Sequence, residues 1–342
     1  EMPSLGRKHD MIVWLKLSAP QRRLYLAFLQ SGPVRAALNK TGSALAAITV
    51  LKKICDHPRL LSEAAAAEIA SGSGSELANM DHVRGGGSEA SCKTAFLLAL
   101  LAELFASGHR TLVFSQSRVA LDIVQKAAAK RRWECCRIDG TTPTEERHRL
   151  VEAFQTSDDI PLFLLSSQVG GLGLTLTAAD RVVILDPAWN PSVDNQSVDR
   201  AYRIGQRKDV VVYRLITCGT VEEKIYRKQV FKGALSRMGT ENADPMQYFS
   251  SGDLADLFHA SADGFDASDT QKRLKDLHKD QPDGTDGELD ERHLSFLASL
   301  PMNAGLSDHG LLYSRPAGTQ KCCVSQTAPT LRTVVYYRWR AG

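Results

Sequence analysis

The chain has 342 residues, 43% of them hydrophobic and 24% charged, which suits one large globular domain or two small ones with a sizeable core. Its net charge of +3 is near neutral, which excludes binding of nucleic acid by bulk charge and leaves that task to local clusters. No apolar run approaches membrane-spanning length and the first ten residues lack a signal-peptide core, so an intracellular protein without membrane contact is expected. Seven cysteines, an odd number with no Cys-x-x-Cys pair, argue against a disulfide framework and a zinc site, and no metal site is expected.

Residues 11–17, Met-Ile-Val-Trp-Leu-Lys-Leu, read as a strand, and Ser18-Ala19-Pro20 as the start of a helix with Leu24, Phe28 and Leu29 at helical spacing. Ala44 to Cys55 predicts a second helix that stops at Asp56-His57-Pro58, because proline disfavours helix in the residue before it. Cys55 and His57 lack further ligands nearby and read as structural. Residues 63–91 hold an Ala run, Ser-Gly repeats and Gly85-Gly86-Gly87, a composition that buries too little to offset chain entropy, so a flexible insertion is expected.

From Lys93 onward helices and apolar runs alternate, the pattern of a parallel sheet covered on both faces. The expected order is helix Thr94 to Phe105, strand Thr111 to Ser115, helix Val119 to Lys130, strand Cys136 to Ile138 and helix Thr144 to Phe154. Strands at Leu162 to Leu165 and Val182 to Leu185 follow, then a helix carrying arginines, strand Val210 to Ile216 and helix Val221 to Phe231. Residues 261–342 are expected to be a polar, disordered tail. Within it, Leu289-Asp-Glu-Arg-His293 is not a metal-binding box, because no buried apolar strand precedes it.

Two candidate anion sites stand out. Gly170, Gly171 and Gly173 let the backbone bring bare N–H groups to a phosphate, with Thr175 and Thr177 adding hydroxyls. Arg200 and Arg203 stand three apart, so a helix would place both guanidinium groups on one face. Taken singly, the glycines also suit an ordinary turn and the arginines a solvated helix face.

Taken together, Gly170-Gly-Leu-Gly-Leu-Thr175, Asp186-Pro-x-Trp-Asn-Pro191 and Gln196-x-x-Asp-Arg-Ala-x-Arg-Ile-Gly-Gln206 resemble the last motifs of Swi/Snf-related superfamily-two helicases. Leu17-Ser-x-x-Gln-Arg-x-Leu-Tyr25 and Val50-Leu-Lys-Lys-Ile-Cys-Asp-His-Pro-Arg-Leu-Leu61 are similar to the segment by which such motors enter their second lobe. The wording is closest to the subfamily of the Polo-interacting checkpoint helicase and the Cockayne syndrome group B protein. At Ser91-Cys92-Lys93 the family has Ser-Gly-Lys, so the turn at Cys92 departs from the pattern.

The resemblance implies an α/β fold: a RecA-like parallel sheet with helices on both faces, helical flanks and a disordered C-terminal tail. It divides the chain into a helical lead-in at 1–62, the insertion at 63–91, the helicase C-terminal lobe at 92–235, a brace segment at 236–260 and the tail at 261–342. Arg200 and Arg203 are implied arginine fingers, with Gly171, Gly173, Gln196, Asp199 and Gln206 at the nucleotide. Ser115, Gln116, Gly140, Thr141, Ser166, Gly170, Thr175, Trp189 and Asn190 are implied DNA contacts, Trp189 being equally suited to a core position. No Gly-x-x-x-x-Gly-Lys-Ser/Thr phosphate loop or Mg²⁺-binding carboxylate box occurs, so ATP and Mg²⁺ are expected to be shared with an absent first RecA-like lobe. The implied function is the second motor lobe of a nuclear, ATP-dependent translocase on double-stranded DNA, with chromatin or mitotic partners. The alternative is a stand-alone DNA- or partner-binding module without ATP turnover, and fold alone does not choose between them.

Overall fold

Every second residue of the apolar runs faces the same side of a strand, and the chain uses both sides. In the computed structural model, which describes residues 5–72, 87, 90–169, 173–235, 251–260, 264–277 and 290–313, seven strands form one sheet in the order β3-β4-β2-β5-β6-β1-β7. These are β1 Lys8–Leu15, β2 Thr111–Ser115, β3 Cys135–Ile138, β4 Leu162–Ser166, β5 Arg181–Ile184, β6 Val210–Thr217 and β7 Asn303–Asp308. β1 to β6 pair in parallel, and β7 runs antiparallel to β1 at the edge. Val113, Leu164, Val183 and Tyr213 lie in the larger core on one face. Phe114, Leu165 and Ile184, one residue on, and Val212, one residue back, lie in the core on the other.

The first face is covered by α1 Ala19–Leu29, α3 Ala44–Asp56, α5 Cys92–Ala106 and α6 Arg118–Lys130, with the short α2 Gly32–Leu38 beside them. Ser18, Ser43, Ser91 and Ser117 cap four of these helices, each side chain accepting the N–H three residues on. Ser91 caps α5 despite the departure at Cys92, which is simply its first residue. Buried Gln21 ties three helices together: Nε2 donates to the Ile54 and Cys55 carbonyls, 2.7 Å each, and Oε1 accepts from Cys92 N at 2.9 Å. The second face carries α7 Thr144–Thr156 and α8 Pro191–Val198.

Two expectations are corrected. Glu63–Gly72, assigned to the flexible insertion, form a helix, α4, because its Ala run spaces Ala66 and Ile69 to bury against the core. The tail contributes α11 Asp269–Leu277, α12 Glu291–Ser299 and β7, so it is folded in these parts. Leu297 fills the core, and Trp14 Nε1 donates to Ser307 Oγ at 2.9 Å. The lobe's last expected helix is α9 Val221–Leu235, and the described part of the segment at 236–260 carries α10 Ser251–Leu257, whereas residues 236–250, most of the rest of the insertion, at 73–86, and the terminus from 314 lie outside the described residues. Gly219, at φ +66°, approaches the Gly264 carbonyl so closely that any Cβ would collide with it, which fixes glycine at the β6–α9 turn.

Candidate functional site

The arginines are not on a helix. α8 is N-capped by Asn190, whose side chain accepts from Ser192 N at 3.0 Å, and ends at Val198 with Asp199 as its C-cap. Arg200 and Arg203 therefore lie in the following loop, which corrects the helical placement. The reason is tertiary. Leu176 N donates to the Arg200 carbonyl at 2.9 Å, and Gln206 Nε2 donates to the carbonyls of Thr177, Ala179 and Ala201 at 3.1, 2.8 and 3.1 Å. Gln206 Oε1 accepts from Arg207 N and Lys208 N, 3.0 Å each. Only 3% exposed and fully bonded, Gln206 is a clasp between the arginine loop and the β4–β5 crossover, so its expected place at the nucleotide is corrected.

This clasp holds two cations with little to balance them. Burial, and then the charge of Arg203, push the Arg200 guanidinium below its ordinary pKa, with Asp199 opposing. Arg200 Nε is buried without a hydrogen-bond partner. Arg203 is exposed, and its Nη1 makes only long bonds to Gly173 O at 3.3 Å and Thr175 Oγ1 at 3.4 Å. Among the described residues neither arginine forms an ion pair within 4 Å. Two under-compensated guanidinium groups and a spare N–H suit a phosphoryl group. Gln196 and Asp199 are exposed on or beside α8, and Gly171, like Gly170, lies outside the described residues.

A second set of predicted residues collects at the carboxyl ends of the parallel strands, where open α/β sheets bind ligands. Ser115 and Ser166 are register partners at the ends of β2 and β4. Ser115 is wholly buried and its hydroxyl accepts from Ser117 N at 3.0 Å, so it supports the start of α6 and its direct DNA contact is corrected. Ser166 is buried with an unpartnered hydroxyl. Gln116 is exposed, its backbone N–H held by Asp186 at 2.9 and 3.1 Å. Beyond β3, Thr141 gives both its N–H and its hydroxyl to Asp139 Oδ1, at 2.9 and 2.6 Å, so its donors are spent and exposed Gly140 is left as the open part of that turn. Trp189 is half-buried against the core, with Lys52 Nζ 5.2 Å over its ring and 2.9 Å from the Pro187 carbonyl. Thr175 is exposed on the crossover. The strand-end set and the arginine loop are linked through α8, with Asn190 at one end and Asp199 at the other.

The supporting charges were missed by sequence reasoning. Buried Lys93 reaches Asp56 at 2.7 Å and Glu222 at 2.5 Å. Asp186 sits nearby, its carboxyl pushed up to about 8 by burial and by the charge of Asp56. Asp194, raised to about 6 by burial, accepts from Ala188 N at 3.1 and 3.2 Å and shapes the Asp186–Asn190 turn. The one available signal was Lys93, the only basic residue of a largely apolar helix. Among the described residues no group of three or more His, Cys, Asp or Glu could hold a metal ion.

A parallel sheet in this order, with strand-end hydroxyls and amides beside a clasped arginine loop, defines the second RecA-like lobe of a helicase-type ATPase. Residues 92–205 match the family model described as the helicase conserved C-terminal domain. The chain is 48% identical over 337 residues to "Protein CHROMATIN REMODELING 24" of Arabidopsis thaliana, covering 92% of this chain and 30% of that protein. It is 48% identical over 328 residues to human "DNA excision repair protein ERCC-6-like", covering 92% of this chain and 26% of that one. The Sulfolobus solfataricus SWI2/SNF2 ATPase core, solved in complex with dsDNA, superposes with a TM-score of 0.59 at 25% identity, over 75% of this chain and 51% of that one. The chain belongs to the Snf2 family of superfamily-two helicases, as its C-terminal motor lobe. It spans less than a third of the length of these two curated relatives.

Proposed function

We propose that this chain is the arginine-supplying half of a nuclear, ATP-driven translocase on double-stranded DNA, working on chromatin or in DNA repair. The observation that carries the reading is the under-compensated Arg200–Arg203 pair on a loop clasped by Gln206. ATP is the substrate, bound chiefly by a first lobe elsewhere in a longer parent, with Mg²⁺ neutralising part of its phosphate charge. When the lobes close, Arg200 and Arg203 face the γ-phosphate and stabilise the charge that develops during transfer. An arginine finger contributes roughly 10³- to 10⁵-fold in rate, or about 4 to 7 kcal/mol.

The strand-end set supplies the DNA grip. Gln116, Gly140, Ser166, Asn190 and Trp189 line the edge that holds one strand's phosphates, with Lys52 positioning Trp189. Such contacts position a duplex without reading its bases. Closure and reopening around each hydrolysis then shift this edge along the strand.

In the two-lobe parent, Arg203→Lys keeps the charge but loses the planar fork that addresses two oxygens at once. Steady-state kinetics should show kcat falling by on the order of 10²-fold or more with little change in nucleotide affinity. An unchanged kcat beside a lowered melting temperature would make Arg203 a structural residue and overturn the reading.

A further inference from the structure

Among the described residues Ile204 is 80% exposed, far more than the next large apolar side chain, Val119 at 47%. It is not on a slack segment. Gln206 N donates to the Arg203 carbonyl at 2.9 Å, closing a four-residue turn whose third residue, Gly205, has φ +103°. A turn of this kind accepts glycine readily at the third position and puts the second residue, Ile204, at its tip. Behind the tip, the five hydrogen bonds of the Gln206 side chain and the buried Ala201 fix the turn to the sheet. A β-branched side chain on a braced turn loses little freedom on docking.

The geometry points to Ile204 as an apolar anchor of lobe closure, seating in an apolar recess of the first motor lobe of the same parent and excluding water beside Arg203. The inference rests on the proposed motor function. That occupant is favoured because Ile204 adjoins the arginine that must meet a phosphate held elsewhere. The curated relatives also extend well beyond this chain, which covers 30% and 26% of two of them. Excluding water strengthens the arginine's interaction with phosphate, since charges attract more strongly where the local dielectric is low.

The test uses the two-lobe parent, with a dye on each lobe to report closure by energy transfer and a non-hydrolysable ATP analogue to drive it. Ile204→Ser should lower the closed population by on the order of tenfold, given the apolar area removed from the contact. DNA-stimulated kcat should fall in parallel, while the melting temperature and DNA affinity hold. Ile204→Leu should restore most of both. Normal closure and turnover in Ile204→Ser, with Arg203→Lys still impaired, would overturn the anchor and leave the motor reading standing. Full activity in Arg203→Lys would overturn the motor reading itself. Lost DNA affinity with normal closure would place Ile204 against DNA and also overturn the anchor.

Discussion

Arg214 is 1% exposed, and its charge is held by Asp10, which accepts from Nε at 2.7 Å and Nη2 at 2.9 Å, with Asn195 Oδ1 at 3.0 Å. Burial alone would raise the Asp10 carboxyl, but the Arg214 guanidinium outweighs it and holds the pKa at about 2. Because the folded value lies below an unfolded one of about 3.9, this pair stabilises the fold above pH ~4, and its contribution of about 2 kcal/mol is lost as pH falls through the folded value. Thermal unfolding between pH 4 and 2 should therefore steepen in the native chain and flatten in Asp10→Asn, which should also melt earlier at neutral pH. Equal slopes in both would contradict the assignment. His57, lowered to about 4 by burial and then by Arg59, shifts stability the same way but between pH ~6.5 and 4, so the windows separate. At this scale the sequence was legible in residue type and not in partner. Arg200 and Arg203 were marked by their motif, whereas Gln206 bonds to Thr177 and Ala179, 29 and 27 residues away, which no local spacing reveals.

Among the elements, Lys93 opens α5 and joins it to α3 through Asp56 and to α9 through Glu222. Its ammonium is held charged: burial disfavours the charge, but the two carboxylates overcome that and raise its pKa. Lys93→Met leaves two acids buried without a cation and should cost about 3 to 5 kcal/mol in urea unfolding. Glu222→Gln, which keeps the Asp56 pair, should cost less; a loss within about 1 kcal/mol for Lys93→Met would show the triad to be incidental. Strands β2, β4 and β5 were legible because each is built on an unbroken apolar run, β6 because its run is interrupted only by Arg214, and α1, α3 and α5 because serine caps mark their starts. β7 was not legible, since Asn-Ala-Gly-Leu-Ser-Asp carries no strand pattern and is ordered by pairing with β1. α8 was read as reaching the arginines because helical spacing continues past Val198, where tertiary bonds to the crossover redirect the chain.

For the whole molecule, the proposed motor would use this fold as one of its walls. The arginine loop and the strand-end edge are joined through α8, so under that proposal a change at the phosphate would be passed to the DNA grip. The most direct measurement compares DNA-stimulated phosphate release by this chain alone, by the two-lobe parent and by the parent carrying Arg203→Lys. The account predicts background release from the chain at every concentration, with or without duplex DNA. It also predicts robust release from the parent and a loss on the order of 10²-fold in the variant. Phosphate release from the purified chain alone that rises with DNA and scales with protein concentration would contradict it.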